Sequence, residues 1–377
     1  MDRPRITFVS TGRADFGAIS AVLRVAGERL QPRLVLCGDA EVLQAETPGW
    51  ETLVVGGLAE VDSGRDASLR VAQVTRALAA EFGENPPDIV LVAGDRYELL
   101  GVLGAVIPSG IPLAHISGGE ITEGAFDEQV RHAVTKAAHV HFVANPVFAS
   151  RLHRMGEEAG RVHLTGDPGL DGIARLDLAD TAALGARLNL PIGRDLVLVA
   201  YHPVTNEPES TWREWAAIQA ALEDHAGPVV VTGSNRDPQS ARLRALQQAW
   251  CPGRPSRRYV EHLGQRNFLT LLALGGCLIG NSSSGIWEAP SLGAPAINLG
   301  HRQQGRLRGA NVIDVPEPEA APLGDALRRA LDPAFRAQAS ALPNPYGDGK
   351  SAPRIVEVLA ALPPRARLLH KRFNDSP

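Results

Sequence analysis

Residues 88–93, Asp-Ile-Val-Leu-Val-Ala, constrain the fold more tightly than any other stretch of the chain. After the leading aspartate the run is apolar without alternation, so a strand made from it must be covered on both faces. A parallel sheet flanked by helices provides that cover. The run ends in Gly94-Asp95-Arg96, and a helix begins near Tyr97. The same rhythm of apolar run, small or polar turn and helix fills the first half of the chain. Upstream lie a strand at 5–10, the turn Thr11-Gly12-Arg13-Ala14-Asp15-Phe16-Gly17, a helix from Ile19 to Arg29, a strand from Leu34 to Cys37, an irregular stretch over 40–65 and a helix from Asp66 to Phe82. Downstream lie a strand at 112–116, a glycine-rich loop, a helix from Asp127 to Ala138, a strand at 139–144, a helix from Pro146 to Arg154 and a strand at 162–164. Such alternation predicts a doubly wound α/β domain.

Between Gly169 and Gly193 the pattern changes to a short Ala/Leu-rich helix, Thr181 to Leu188, and then restarts. Strands follow at 196–200, 228–231, 259–260 and 278–279, separated by helices at 209–224, 238–250 and 267–274; two more strands and a helix at 322–331 complete the series. At 377 residues the chain exceeds one comfortable core. We therefore expect a first Rossmann-like domain over 1–175, a second over 176–355, and a C-terminal helix and tail over 356–377 that packs back on the first. The tail from Pro363 reads as polar and loose.

Composition excludes several classes. A formal net charge of -4 gives no reason to expect a nucleic-acid partner. The longest apolar stretch, Leu269 to Ile279, is too short to span a membrane. Cys37, Cys251 and Cys277 are too far apart for a CxxC pair or a zinc site, and read as reduced thiols of a cytoplasmic protein. Met1 leads straight into an expected strand, and no signal peptide is visible. No GxGxxG follows the first strand, and the position where a P-loop ending in Gly349-Lys350-Ser351 needs its first glycine is Asn344. Neither a nicotinamide or flavin cofactor nor a metal is expected. His139 and His141 alternate on one strand and read as core or supporting residues rather than as ligands.

Two doubly wound domains are expected to bind ligand in the cleft between them, at the C-terminal ends of their strands. The polar candidates fall at such ends: Arg13, Asp95, Arg96, Glu120, Glu123, His202, Asn235, Arg236 and His262. The stretch Gly280-Asn281-Ser282-Ser283-Ser284-Gly285-Ile286-Trp287-Glu288 joins them. It reads as strand, small-residue turn and helix, which aims N–H groups and the helix dipole at an anion. Ser282 and Ser283 add hydroxyl donors, and Glu288, a turn further on, can reach a sugar diol. A capped helix of no further function has the same pattern.

Residues 115–136 are richer still, with four carboxylates in nine residues: Glu120, Glu123, Asp127 and Glu128. Asp127 and Arg131 share a helical face, as do Glu128 and His132. Grouped carboxylates in a cleft push one another's pKa values apart, giving one acid and one base.

These residues carry a resemblance. GGEITEGxxDExxRHxxTK at 118–136, with TGRADFG at 11–17, GDRYE at 94–98, HPVT at 202–205, GNSSxGxxE at 280–288 and NPYGDGKS at 344–351, resembles the UDP-N-acetylglucosamine 2-epimerase family, and within it the hydrolysing branch that makes N-acetylmannosamine or its 2,4-diacetamido-trideoxy counterpart. The match runs in order over roughly residues 5–360. The resemblance implies a GT-B fold and cofactor-free chemistry on a UDP-sugar: loss of the C2 proton with breakage of the C1–O bond to UDP, then hydration of the resulting 2-acetamidoglucal. It further implies that Arg13, His202 and Arg302 contact the diphosphate, His202 as a candidate acid, that Ser282 and Ser283 bind phosphate, and that Glu288 binds the ribose hydroxyls. Asp95 and Asp127 match the family's carboxylates, with Glu120 and Glu123 as further candidates. Relatives often carry glutamate where this chain has Ser117, which leaves open which carboxylate is acid and which is base. Relatives also imply a homodimer or homotetramer. A non-hydrolysing epimerase, a GT-B glycosyltransferase and a nucleotide-sugar binder are the competing readings.

Overall fold

The computed structural model describes residues 3–38, 43–44, 47, 49–56, 61, 63–122, 127–173, 177–204, 207–234 and 239–375. The chain forms two compact units, Met1–Gly172 with Tyr346–Pro377, and Ile173–Pro345.

The first unit is built on seven parallel strands: β1 (Arg5–Ser10), β2 (Gln31–Leu36), β3 (Thr52–Val54), β4 (Ile89–Ala93), β5 (Leu113–Ile116), β6 (Val140–Val143) and β7 (Val162–Leu164). Their order is β3-β2-β1-β4-β5-β6-β7, and every pairing is parallel. All five residues of β4 are buried, as its unbroken apolar run requires. Neighbouring side chains of β4 go to opposite faces. Leu91 packs with Phe8, Ile19 and Ile355 under helices Arg13–Ala26 and Ser351–Ala360. Val90 and Val92 pack with Val74, Leu78, Val102 and Val134 under helices Gly64–Glu84, Leu99–Val106 and Asp127–Ala137. β3 lies inside the stretch read as irregular; three residues pairing with β2 are too short a run to signal themselves in the sequence.

The tail is not loose. Arg365–Leu368 forms a helical turn, and Arg365 donates to Ser109 O and Gly110 O at 2.6 and 2.8 Å. Arg161 donates to Leu368 O and His370 O, and Lys371 to Lys136 O and Ala138 O. The polar residues that suggested a solvated tail are spent on backbone carbonyls of the first unit.

The second unit has six parallel strands: β8 (Val197–Ala200), β9 (Val229–Thr232), β10 (Arg257–Val260), β11 (Cys277–Gly280), β12 (Ala296–Leu299) and β13 (Val312–Val315). Their order is β10-β9-β8-β11-β12-β13. Its core gathers Val197, Val199, Val229, Val231, Ile279, Ile297 and Leu299 with Tyr201, Trp215 and Ile218. A further helix, Pro333–Ala341, starts at a proline capped by Asp332, whose carboxylate accepts from Ala334 N at 2.9 Å.

In each sheet the chain order reverses once, between β1 and β4 and between β8 and β11. Loops leaving the C-terminal ends of strands on either side of such a reversal diverge and leave a crevice, which is where open α/β sheets take ligand.

Candidate active site

At the reversal of the second unit, the loops after β8 and β11 are tied by one side chain. Fully buried Asn281 accepts from His202 N and donates to His202 O, both at 2.9 Å. Its own carbonyl takes Arg302 Nη1 at 3.1 Å and Gln303 Nε2 at 2.9 Å, which brings the Gly300–Arg306 segment to the same place. Gly280 makes this close approach feasible. Its φ is 147°, and a Cβ there would sit 2.0 Å from Ala200 O. Ser282, Ser283 and Glu288 follow, all half-buried, and the helical turn Ser284–Trp287 starts there. Ser283 holds the N-cap position without a side-chain bond, and Ser282 Oγ accepts from Ser284 N at 3.4 Å. Burial pushes the Glu288 carboxyl up, with the Ser284 hydroxyl opposing. Burial, and then the neighbouring Arg302 charge, lower His202 to about 3. As a neutral ring it can donate one hydrogen bond. His262 is exposed and follows β10, an edge strand separated from β8 by β9. It is not brought to the reversal. Asn235 and Arg236 lie outside the described residues.

At the reversal of the first unit, Arg13 opens the helix after β1 and is exposed. The turn before it is organised by Asp15, a buried carboxylate accepting from Ser10 Oγ (2.8 Å), Thr11 N (2.7 Å), Thr11 Oγ1 (2.8 Å) and Gly12 N (3.1 Å). Across the reversal, β4 is followed by Gly94, whose φ of 79° turns the chain towards Asp95. Asp95 pairs with Arg131 of the helix Asp127–Ala137. Arg131 is 3% exposed and also reaches Glu128 Oε2 at 2.9 Å and Thr122 Oγ1 at 2.8 Å. Glu128 accepts from Thr122 N at 2.7 Å and bonds His132 at 2.9 Å. This net ties Thr122 and Asp95 to the helix Asp127–Ala137. Arg96 is clamped on buried Glu98 by bonds of 2.8 and 3.2 Å.

The carboxyls of this half differ in environment. Burial pushes Asp127 upward, Arg96 opposing and Glu98 adding to the effect. Asp95 is instead paired with a buried guanidinium. Asp167, which the sequence did not single out, is buried; burial and then the charge of Glu120 push it well above the usual carboxylate range. Glu120 is half-buried, and Glu123 lies outside the described residues. Ser117, at the end of β5, is half-buried and holds a left-handed φ of 69°. The NPYGDGKS stretch serves the fold here: Asp171 accepts from Ser351 N and Ala352 N at 2.9 and 2.6 Å, and Tyr346 O accepts from Asp167 N. Sequence reading also passed over Asn281, Asp15 and the pairing role of Arg131. The repeated small-polar turns after β1 and β11 were the available signal for the first two. Among the described residues no group of three His, Cys, Asp or Glu side chains is placed to hold a metal ion.

Two Rossmann-like sheets in one chain, each with its polar residues gathered at the reversal, define the GT-B class of nucleotide-sugar proteins. The chain belongs to the UDP-N-acetylglucosamine 2-epimerase family, which it matches over residues 56–360. A hydrolysing UDP-N,N'-diacetylbacillosamine 2-epimerase of Legionella pneumophila is 32% identical over 381 residues, spanning 97% of this chain and 98% of its own. Polysialic acid biosynthesis protein P7 of Escherichia coli is 27% identical over 99% of this chain and 98% of its own. Among solved structures, S. aureus MnaA with UDP superposes at a TM-score of 0.77, with 20% identity and coverage of 94% of this chain and 95% of that one. UDP-GlcNAc 2-epimerase of Neisseria meningitidis bound to UDP-GlcNAc gives 0.75, with 16% identity over 94% and 99%. No helix among the described residues is long and apolar enough to cross a membrane.

Proposed function

We propose that the chain is a hydrolysing UDP-sugar 2-epimerase. It converts UDP-N-acetylglucosamine, or a UDP-2,4-diacetamido-2,4,6-trideoxyhexose, with one water into UDP and the free 2-epimeric sugar. The observation that supports this reading is the set of carboxyls at the first reversal: Asp127 pushed up by burial, half-buried Glu120, and Asp95 held by Arg131. Elimination followed by hydration at C2 needs a base on one face and a proton donor on the other. The second unit supplies the UDP anchor: Ser282 and Ser283 with the helical turn behind them for phosphate, neutral His202 and Arg302 as donors to the diphosphate, and Glu288 for the ribose.

In the first step Glu120 takes the C2 proton as the C1–O bond breaks and its electrons leave with UDP. The product of that step is a 2-acetamidoglucal. In the second step Asp127, whose proton affinity burial raises, delivers a proton to the opposite face of C2, water adds its hydroxyl at C1 and passes its other proton to the Asp127 carboxylate, and Glu120 returns the proton it took to solvent. Asp95 stays paired with Arg131. The full-length likeness to the Legionella enzyme supports the diacetamido sugar, and the family description supports the N-acetylglucosamine sugar.

The test is incubation with each sugar nucleotide in deuterated water, followed by NMR. The expected result is free UDP and a free 2-epimer carrying deuterium at C2, from one substrate faster than from the other. A product that keeps its UDP makes the chain a non-hydrolysing epimerase. UDP release that needs an acceptor, without deuterium at C2, makes it a glycosyltransferase. Tight binding without turnover makes it a binder.

A further inference from the structure

The helix Asp127–Ala137 carries a row spaced at i, i+4 and i+8: Asp127, Arg131 and Thr135. The first is the proposed proton donor and the second pairs with Asp95. Thr135 is fully buried and touches no part of the proposed chemistry, yet its hydroxyl meets His115 Nδ1 at 3.3 Å. His115 is also fully buried, and its Nε2 lies 2.8 Å from Gly94 O, the carbonyl immediately before Asp95.

A carbonyl can only accept, so Nε2 carries the ring proton. Nδ1 is then the acceptor, and the Thr135 hydroxyl must donate to it. The assignment agrees with the charge state, because burial lowers His115 to about 4 and the ring is neutral at working pH. The Gly94 peptide is held from its other end too, its N–H donating to Ile116 O at 3.1 Å. Asp95 therefore has two tethers to one helix. Arg131 holds its carboxylate, and Thr135, acting through His115, holds the peptide that precedes it.

We propose that the Thr135–His115 pair is a positioning device that sets the Gly94-Asp95 turn in register with Asp127. Neither residue touches substrate. The inference rests on the proposed function, because it assigns the pair to the spacing of carboxyls in that reaction. A helix that slides or rotates against β4 and β5 separates the two carboxyls, and a displacement of about 1 Å in such a site can cost on the order of 100-fold in rate.

The experiment compares Thr135→Val with Thr135→Ser in the whole protein. Valine keeps the volume and removes the donor; serine keeps the donor. We expect Thr135→Val to lose about 10- to 100-fold in kcat, with KM and the Kd for UDP within about twofold of the parent. Thr135→Ser should recover most of the rate. Imidazole 15N shifts give a readout independent of turnover: His115 should be the Nε2–H tautomer across neutral pH, and Thr135→Val should move its Nδ1 resonance alone. The proposal is overturned by a Thr135→Val enzyme at parental kcat, by serine and valine variants that are equally slow, or by the opposite tautomer. Should the parent protein release no UDP from either sugar nucleotide, the proposed function has failed instead, and the tautomer measurement still tests the hydrogen-bonded pair.

Discussion

Replacing Glu157 by glutamine tests how the C-terminal tail is held. Glu157 is fully buried beyond the helix Pro146–Arg154. It accepts from His141 Nε2 at 2.9 Å and Lys136 Nζ at 2.7 Å, and pairs with Lys371 Nζ at 2.6 Å. Burial works against its charge, but these partners prevail and bring the carboxyl from 4.5 to about 2. A displacement of that size corresponds to about 3 kcal/mol at neutral pH. Glutamine keeps the shape and loses the charge. Lys136, with 41% of its side chain exposed, turns to water at little cost, whereas Lys371 at 15% and His141 at 0% bear the penalty. The expected loss for Glu157→Gln is about 2 to 4 kcal/mol, read by urea denaturation at neutral pH. The sign of the pH dependence follows from a depressed carboxyl. Its contribution is complete above pH 4.5 and fades as pH falls towards about 2, so parent and variant should converge in acid. Hydrogen exchange locates the effect, since amides over 365–374 should exchange faster in the variant. A variant within about 0.5 kcal/mol of the parent, with tail exchange unchanged, would show that the lysines hold the tail through carbonyls alone.

Two further outcomes bear on the site. Asp127→Asn should still eliminate UDP from the substrate but accumulate the 2-acetamidoglucal, with overall turnover down by about 100- to 10,000-fold; NMR detects the intermediate, and normal product formation would remove Asp127 from the role of donor. His202, lowered to about 3 in the free protein, should gain proton affinity beside a diphosphate, so UDP binding should tighten as pH falls; calorimetric Kd values that do not change between neutral and acidic buffer would place the imidazole away from the phosphates.

The parallel sheets were legible because the strands are buried on both faces and therefore carry unbroken apolar runs, as in β4 and β8. The turns after β1 and β11 were legible because small residues must follow a strand where a loop doubles back. The interactions that organise the site were not. Arg131 looks from the sequence like one half of a local helical pair, and its partner Asp95 lies 36 residues away. The tail reads as solvated because it is rich in Lys, Arg and His; the carbonyls that Lys371 serves are 233 and 235 residues upstream. Patterning reports what an element buries. It does not report which distant carbonyl or carboxylate a long polar side chain will find.

One topology is used twice in this chain, and its two reversals are wired differently. In the second unit Asn281 ties the loops with neutral hydrogen bonds, and the nearest titrating group, His202, is uncharged at working pH. A site of that kind presents donors to an anion and has no strong base of its own. In the first unit a buried guanidinium holds one carboxylate while another carboxyl, a turn away on the same helix, is pushed towards its protonated form. That arrangement raises the proton affinity of Asp127, which binding a diphosphate does not require and moving a proton at carbon does. On the proposed function, the Gly280 to Glu288 turn is the part of the chain that anchors the nucleotide. On the same proposal, the choice of reaction belongs to the helix Asp127–Ala137 and the Gly94-Asp95 turn it holds.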